Sequence, residues 1–313
     1  MKTLTSHPDQ IYALDSGYGR PMLDAIHLIV QSGRVAVVDT GNNESVPLVM
    51  QALDELGLRA SAVDYVMLTH IHLDHAGGAG ALMRACPEAR LVVHPRGVRH
   101  MVDPSRLWAG SVAVYGEETA RRLYGEILPV PADRIVAADD GLVVDMAGRR
   151  FEFLDTPGHA RHHVCIFDHC AGAFFTGDTF GLSYRELDVD GRPSVFPTTT
   201  PVQFEPLELH RSIDRLLSYE PVAMYLTHYS RVTEVPRLAA DLHRLIDAHV
   251  AIATAAHGSG VARHREILAG LEVLLSDERE RQGWVLDDEA LRAVFAMDLE
   301  LNAQGLGVWL DAR

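Results

Sequence analysis

The sequence has few cysteines, and the three that it contains, Cys86, Cys165 and Cys170, follow no regular spacing. So few irregularly placed cysteines provide no disulfide framework, which is typical of a protein from a reducing compartment. None of them forms a Cys-x-x-Cys pair, the spacing that closed structural zinc sites favour. We therefore expect neither a fold stabilised by disulfides nor a structural zinc site.

Positive charge and long apolar runs are also scarce. The 28 lysines and arginines stand against 43 aspartates and glutamates, and the net charge of −15 argues against a nucleic-acid substrate, whose phosphates bind Lys and Arg. No apolar run approaches the length of a membrane span, and the first residues lack the apolar region of a signal peptide. These absences predict a cytoplasmic protein that binds neither nucleic acid nor a membrane.

What the sequence does contain is a dense group of metal-ligand side chains, His-Ile-His-Leu-Asp-His, at residues 70–75. The apolar run before it has the length of a buried strand, and the small residues after it favour the start of a helix. Loops at the carboxyl ends of strands are where ligands tend to bind in open sheets. One ion would struggle to use three imidazoles and a carboxylate at once, whereas two neighbouring ions can.

Other strand-like segments also end in side chains that can bind a metal. Short apolar runs precede His159, Asp178 and His228, which follow one another at wide intervals along the chain. Asp39 closes an earlier strand, where it either supports a metal-bound histidine or forms a turn. The segment 179–203 that begins beside Asp178 has no periodicity, and loops of that length are usually functional or disordered.

The pattern of secondary structure changes near residue 235. Before it, strands and helices alternate, and Ser32-Gly33 predicts a hairpin between two of the early strands. From Pro236 onward only helical periodicity remains. We therefore predict an α/β domain over residues 1–235 and a C-terminal helical extension over residues 236–313 that packs on it.

Four motifs together resemble the metallo-β-lactamase superfamily over about residues 10–235. They are Thr-His-x-His-x-Asp-His-x-Gly-Gly from Thr69, Thr-Pro-Gly-His ending at His159, Gly-Asp-Thr around Asp178, and Leu-Thr-His ending at His228. The resemblance implies a four-layer αββα sandwich with a metal site at one edge of its two sheets. For this domain, the resemblance also implies a catalytic role.

The resemblance further implies a set of ligands for two metal ions. It assigns the first metal to His70, His72 and His159, the second to Asp74, His75 and His228, and a bridging position to Asp178. His163 matches a histidine that the family often keeps near the site, although a simple strand histidine explains it equally well.

The chemistry of this ligand set agrees with two divalent ions. Imidazoles and carboxylates suit zinc, iron and manganese, and we expect Zn²⁺ first, with Fe or Mn as alternatives. Two ions that share a hydroxide supply a nucleophile near neutral pH, because coordination lowers the pKa of water to about 7. Asp74 is then the catalytic carboxylate, which orients the nucleophile and accepts its proton.

Within the superfamily, the motifs look most like those of the glyoxalase II and lactonase-like hydrolases. His72 stands where the flavo-di-iron reductases typically have Glu, and Asp178 stands where the classical zinc β-lactamases have Cys. We therefore expect a hydrolase for an ester, lactone or thioester of a small molecule. Loop position makes Tyr184, Arg185 and Tyr229 candidates for contact with that substrate.

Two other functions keep the same ligands. A mononuclear iron enzyme would oxidise a thiol or persulfide, as the sulfur dioxygenases of this superfamily do. A protein that binds a metal or oxygen without catalysis is the third hypothesis. The number of metal ions per chain distinguishes the hydrolase, with two, from the dioxygenase, with one. Lack of activity in fully metallated protein would indicate the binding protein. The sequence leaves the oligomeric state open, a homodimer included.

Overall fold

The computed structural model describes residues 4–200 and 202–313, which form two compact units. Unit 1 comprises Met1–Asp155, His162–Gly177 and Pro221–Arg231, and unit 2 comprises Thr156–Arg161, Asp178–Glu220 and Val232–Arg313. The last helices thus share unit 2 with two earlier segments, and the division at residue 235 stays a prediction. Among the described residues, no helix is both long and apolar enough to cross a bilayer.

The first β-sheet of unit 1 has seven strands in chain order. Strands β1 to β7 are Leu4–His7, Ile11–Asp15, Ala25–Gln31, Arg34–Val38, Val63–Met67, Arg90–Val93 and Ile135–Ala137. The neighbours from β1 to β4 are antiparallel, and those from β4 to β7 are parallel. The predicted hairpin is confirmed: β3 and β4 are joined by Ser32 and Gly33, both with positive φ, as a two-residue hairpin turn favours.

The second sheet has six strands in the order β13-β12-β11-β10-β9-β8. Strands β8 to β13 are Leu142–Met146, Arg149–Asp155, Val164–Asp168, Ala173–Gly177, Ala223–Leu226 and Ser230–Val232. The pairs from β8 to β11 are antiparallel, whereas β11 and β12 are parallel. A parallel pair needs a crossover connection, here the long segment between Gly177 and Ala223.

Apolar side chains on alternate strand positions bury both faces of the first sheet. Met67 of β5 packs in the core between the two sheets, together with Phe153 of β9 and Phe175 of β11. Its neighbour Val66 points to the opposite face, where it packs with Leu53 and other helical residues. Each fully buried side chain of this size contributes roughly 1.5–3 kcal/mol. Strands buried on both faces account for the apolar runs in the sequence.

Six helices of unit 1 accompany the sheets, and four helices dominate unit 2. Helices α1 to α6 are Val46–Glu55, Leu73–Ala76, Ala79–Ala85, Pro95–Val102, Ser105–Tyr115 and Glu117–Tyr124. Helices α7 to α10 are Pro206–Leu217, Val235–Ala255, Gly260–Gln282 and Asp288–Asp311. The helical periodicity predicted after Pro236 is confirmed, since Leu242, Leu271 and Phe295 are fully buried on α8, α9 and α10.

All three cysteines are free: Cys86 and Cys165 are buried, and Cys170 is exposed. Apolar cores on both faces of its first sheet stabilise unit 1.

Candidate metal centre

The histidine-rich loop begins where β5 ends. Strands β4 and β5 are parallel neighbours, so their carboxyl ends meet at one edge of the sheet, with Asp39 after β4 and Thr69 after β5. The Thr69 amide donates to Asp39 Oδ1 at 2.9 Å, which ties the two loops together. His72 then precedes the short helix α2, whose first turn contains Asp74. The loop is therefore held at the edge where ligands bind in such sheets.

Asp39 orients one of the histidines. Its carboxylate is buried and accepts from His75 Nδ1 at 2.8 Å, from the Thr69 hydroxyl at 2.9 Å and from the Thr227 hydroxyl at 2.8 Å. Since Nδ1 of His75 donates to a carboxylate, its Nε2 carries the lone pair that a metal can bind. Asp39 also has a φ of 57°, a conformation that Asp adopts more readily than most residues.

His228 is oriented in the same way by a residue that the sequence analysis did not identify. Its Nδ1 lies 2.8 Å from Asp24 Oδ1 and 3.2 Å from the carbonyl oxygen of Leu23. Burial raises the pKa of Asp24, and the adjacent His228 opposes that rise. Asp24 stands in an ordinary loop, about two hundred positions before its partner, so no local pattern could have identified it.

Three predicted ligands converge on one point inside unit 1. His75 Nε2 lies 3.5 Å from Asp74 Oδ2, and His228 Nε2 lies 3.7 Å from the same oxygen. One donor atom from each of the three residues lies within 4.8 Å of the other two. Two imidazoles with carboxylates on their far nitrogens, facing a third carboxylate, form a donor set that fits a divalent cation.

His70 and His72 form a second group of donors in unit 1. His70 Nε2 lies 2.9 Å from His72 Nδ1, and His70 Nδ1 lies 3.2 Å from the Thr69 hydroxyl. The His70 ring is fully buried, with its centroid 4.0 Å from that of His75. Two ring nitrogens this close share a proton or face one cation.

His163 lies against this group. Its buried ring is nearly parallel to that of His70, with the centroids 4.9 Å apart. Gly177, the last residue of β11, fits between His163 and Thr69, because a Cβ there would come within 2.6 Å of both side chains. The structure thus places His163 beside a predicted ligand, and its supporting role stays a prediction.

The remaining predicted ligands belong to unit 2. His159 Nε2 lies 3.3 Å from Asp178 Oδ2, and both side chains are buried. His159 Nδ1 lies 2.8 Å from the hydroxyl of Thr198, which the sequence analysis did not single out. Thr198 lies within the aperiodic segment 179–203, which therefore contributes a partner of His159.

The three predicted substrate contacts are all placed within packed surroundings. Tyr184 is buried in unit 2 and donates to both carboxylate oxygens of Asp298 at 3.1 Å. Arg185 pairs with Asp188 at 3.2 Å. Tyr229 is buried in unit 1 beside small side chains of β2 and β3. Their contact with a substrate stays a prediction.

A pair of tyrosines near Asp74 was not expected from the sequence. The hydroxyls of Tyr18 and Tyr124 lie 2.9 Å apart, and both residues are buried in unit 1. Burial raises the pKa of both hydroxyls, and the negative charge of Asp74 raises it further. Both hydroxyls therefore stay protonated at neutral pH. They are separated by 106 positions in the chain, so no short motif could have revealed them.

A model of the metallo-β-lactamase superfamily matches residues 24–228 of this chain. The chain belongs to the metallo-β-lactamase superfamily. The solved structures that it resembles include a superfamily protein from Sulfolobus tokodaii, at 21% identity and a TM-score of 0.60, covering 92% of this chain and all of that one. Another is a family protein from Thermus thermophilus, at 23% identity and a TM-score of 0.63, covering 92% and 93%. The αββα fold with C-terminal helices is thereby confirmed.

Curated relatives give a similar picture. A metallo-β-lactamase fold-containing protein of Sulfurisphaera tokodaii is 24% identical over 66% of this chain and 73% of its own length. A hydroxyacylglutathione hydrolase of Aeromonas hydrophila is 29% identical over 65% of this chain, which spans 60% of that relative. An atrochrysone carboxyl ACP thioesterase of Aspergillus fumigatus is 31% identical over 37% of this chain and 27% of its own length.

Proposed function

We propose that this protein is a metal-dependent hydrolase that uses two divalent ions to cleave an ester, lactone or thioester of a small molecule. The observation that carries the proposal is the paired arrangement of His75 and His228, both held by carboxylates and both facing Asp74. Membership of the superfamily supports a metal site at this position. The names of the curated relatives favour a thioester, since they include hydroxyacylglutathione hydrolases and a thioesterase.

Under this proposal, seven side chains hold the two ions. His70, His72 and His159 would hold one ion, Asp74, His75 and His228 would hold the other, and Asp178 would contribute to both. The bond between His159 and Asp178 supports joint use of these two residues. Chain connectivity supports it as well, since Asp178 directly follows Gly177, which packs against Thr69.

The chain's own residues have separate tasks in the reaction. When bound, the ions lower the pKa of a coordinated water and polarise the carbonyl of the substrate. Asp74 orients the attacking water and accepts its proton. Asp39 and Asp24 keep Nδ1 of His75 and of His228 protonated, so that each Nε2 remains a ligand.

The tyrosine pair supplies a hydrogen-bond donor. Two hydroxyls in contact use one proton between them, so the Tyr18–Tyr124 pair keeps a second proton to donate. A donor near the point where negative charge develops stabilises the transition state of acyl transfer. We assign this second proton to the oxygen of the substrate carbonyl.

Metal analysis combined with a substrate panel tests the proposal. Protein purified with Zn²⁺ should contain two tightly bound ions per chain and hydrolyse at least one ester, lactone or thioester. Asp74→Asn should abolish that hydrolysis, while His169→Gln, which alters a partly exposed histidine of unit 1, should not. One iron per chain with oxygen consumption on a persulfide would instead establish the dioxygenase. Full metal occupancy without any turnover would establish a binding protein.

A further inference from the structure

Two histidines on neighbouring helices of unit 2 meet at their ring edges. His210 of α7 and His243 of α8 have their Nδ1 atoms 2.6 Å apart, and their ring planes are inclined by only 14°. The ring centroids are 4.9 Å apart, which equals the nitrogen–nitrogen distance plus the two distances from nitrogen to ring centre. The two rings are therefore nearly coplanar, and the line between their centres passes through both Nδ1 atoms.

The far nitrogen of each ring faces a carboxylate on the other helix. His210 Nε2 lies 3.1 Å from Asp247 of α8, and His243 Nε2 lies 3.2 Å from Asp214 of α7. Each helix thus contributes one histidine and, four residues later, one aspartate. Both carboxylates accept a hydrogen bond from Nε2–H, so the lone pair of each ring lies on Nδ1 and the two lone pairs face each other. At 2.6 Å, two lone pairs require a cation between them.

We infer that His210 and His243 form a second metal site, in which a divalent transition-metal ion such as Zn²⁺ replaces the proton that the two rings share. Imidazole nitrogens suit zinc, copper and nickel. A carboxylate on the far nitrogen is the usual partner of a histidine that binds a metal. Here both histidines have that partner before any metal is present.

The geometry requires the pair to open. A Zn–N distance of about 2.0–2.1 Å places two nitrogens of a tetrahedral site about 3.3 Å apart, so the two Nδ1 atoms must separate by about 0.7 Å. Both rings must also tilt, because lone pairs that point along one line would give a linear rather than a tetrahedral site. Both histidine side chains reach the surface, at 21% and 26% exposure. Water completes the coordination, which makes the site open and weaker than a centre with four protein ligands.

A metal at this position links α7 to α8. Two carboxylates lie beside the pair, those of Asp214 and Asp247, which are 69% and 76% exposed. These carboxylates make the binding of a cation by His210 and His243 more favourable. Because a ligand that binds only the folded chain stabilises it, added Zn²⁺ should raise the melting temperature by a few degrees.

Zinc binding by matched variants tests this site. We compare the wild type, His210→Gln, His243→Gln and the control His264→Gln by equilibrium dialysis against Zn²⁺. His264 lies on α9 at similar exposure and also faces a carboxylate, that of Glu300. We expect the wild type and the control to bind one more ion per chain than either variant. Equal zinc binding by all four proteins would overturn the inference and leave a shared proton only.

A second measurement guards against variants that fold poorly. In the wild-type protein, Zn²⁺ should protect His210 and His243 from diethyl pyrocarbonate, whereas His264 should react equally with and without zinc. Peptide mass spectrometry reads each site separately and does not depend on enzymatic activity. Unchanged modification of His210 and His243 at saturating zinc would contradict the inference even if no variant folded.

Discussion

Asp39 accepts a hydrogen bond from His75 at 2.8 Å in the buried part of unit 1. The same carboxylate holds Thr69, which precedes the histidine-rich loop, and Thr227, which precedes His228. One side chain thus fixes the start of the 70–75 loop and the residue that precedes His228. Metal binding should therefore depend on Asp39 although it is not itself a ligand.

Asp39→Ala should lower the affinity for the metals by about 10- to 100-fold, the usual effect of removing a partner that supports a ligand. Competition with a chelator measures this affinity directly. Asp64→Ala provides the control, because Asp64 pairs with Arg34 away from these residues. An Asp39→Ala protein that binds its metals as tightly as the control would show that the hydrogen bond has no such role.

Asp178→Ala should reduce both metal content and turnover, since it removes the only carboxylate proposed to bridge the two ions. Elemental analysis and the rate of hydrolysis are the two measurements. Asp277→Ala, an exposed substitution on α9, should change neither. If Asp178→Ala kept two metals and full activity, the bridging assignment would be wrong.

Tyr18→Phe and Tyr124→Phe should each lower kcat while metal content stays constant, because either change removes a hydroxyl from the donor pair. Loss of a donor to a developing oxyanion costs about a factor of 10² in kcat in enzymes that use one. Tyr65→Phe is the control, since its hydroxyl donates to the backbone carbonyl of Asp145. A rise in KM alone would assign the pair to substrate binding rather than to the transition state.

Gly177→Ala should destabilise the fold far more than Gly172→Ala. Both glycines have positive φ, 47° and 59°, so both substitutions impose a similar backbone cost of about 1–2 kcal/mol. Only at Gly177 would the new methyl group collide with His163 and Thr69, whereas at Gly172 the nearest atom is 3.8 Å away. Urea unfolding of both variants measures the difference. Equal midpoints would mean that the crowding at Gly177 relaxes without cost.

The stability of the protein should fall on acidification through a histidine of α8. Burial lowers the pKa of His249 to about 4, against 6.5 when the chain is unfolded. Between these values the unfolded state binds the additional proton, so the free energy of unfolding falls as the pH falls, by up to about 1.4 kcal/mol per pH unit. The contribution of His249 to the free energy of unfolding is fully present above pH 6.5. It is lost as the pH falls to 4, and below pH 4 it changes no further.

His249→Gln should flatten the pH dependence between pH 4 and 6.5 relative to the wild type, as measured by urea unfolding at several pH values. The readout is the slope rather than the absolute stability, which the lost packing of the ring also lowers. An unchanged slope would show that His249 does not titrate in this range.

The sequence predicted those features that depend on neighbouring residues. Periodic or turn patterns of a few residues predicted the strand before residue 70, the hairpin at Ser32-Gly33 and the helices after Pro236. The structure confirms all three. The donors Asp74, His75 and His228 were identified because each follows a recognisable strand. Their donor atoms lie within 4.8 Å of one another inside unit 1, and their role as metal ligands stays a prediction.

The sequence could not reveal contacts between distant and ordinary positions. Asp24 and the pair of Tyr18 and Tyr124 stand in segments without a motif, and only tertiary structure brings them to their partners. Tyr184 was proposed as a substrate contact from its place in a long loop, yet its hydroxyl bonds to Asp298, 114 residues later. Such long-range pairings depend on packing, which no local pattern encodes.

The position of β5 has a consequence for the protein without metal. This strand has a hydrogen-bonded neighbour on each side, and apolar side chains cover both of its faces. A segment protected in this way opens only when the whole unit unfolds, so its amide hydrogens should be among the slowest to exchange. The histidines that follow it are thus preorganised in the apoprotein, and loading of metal requires no prior folding step.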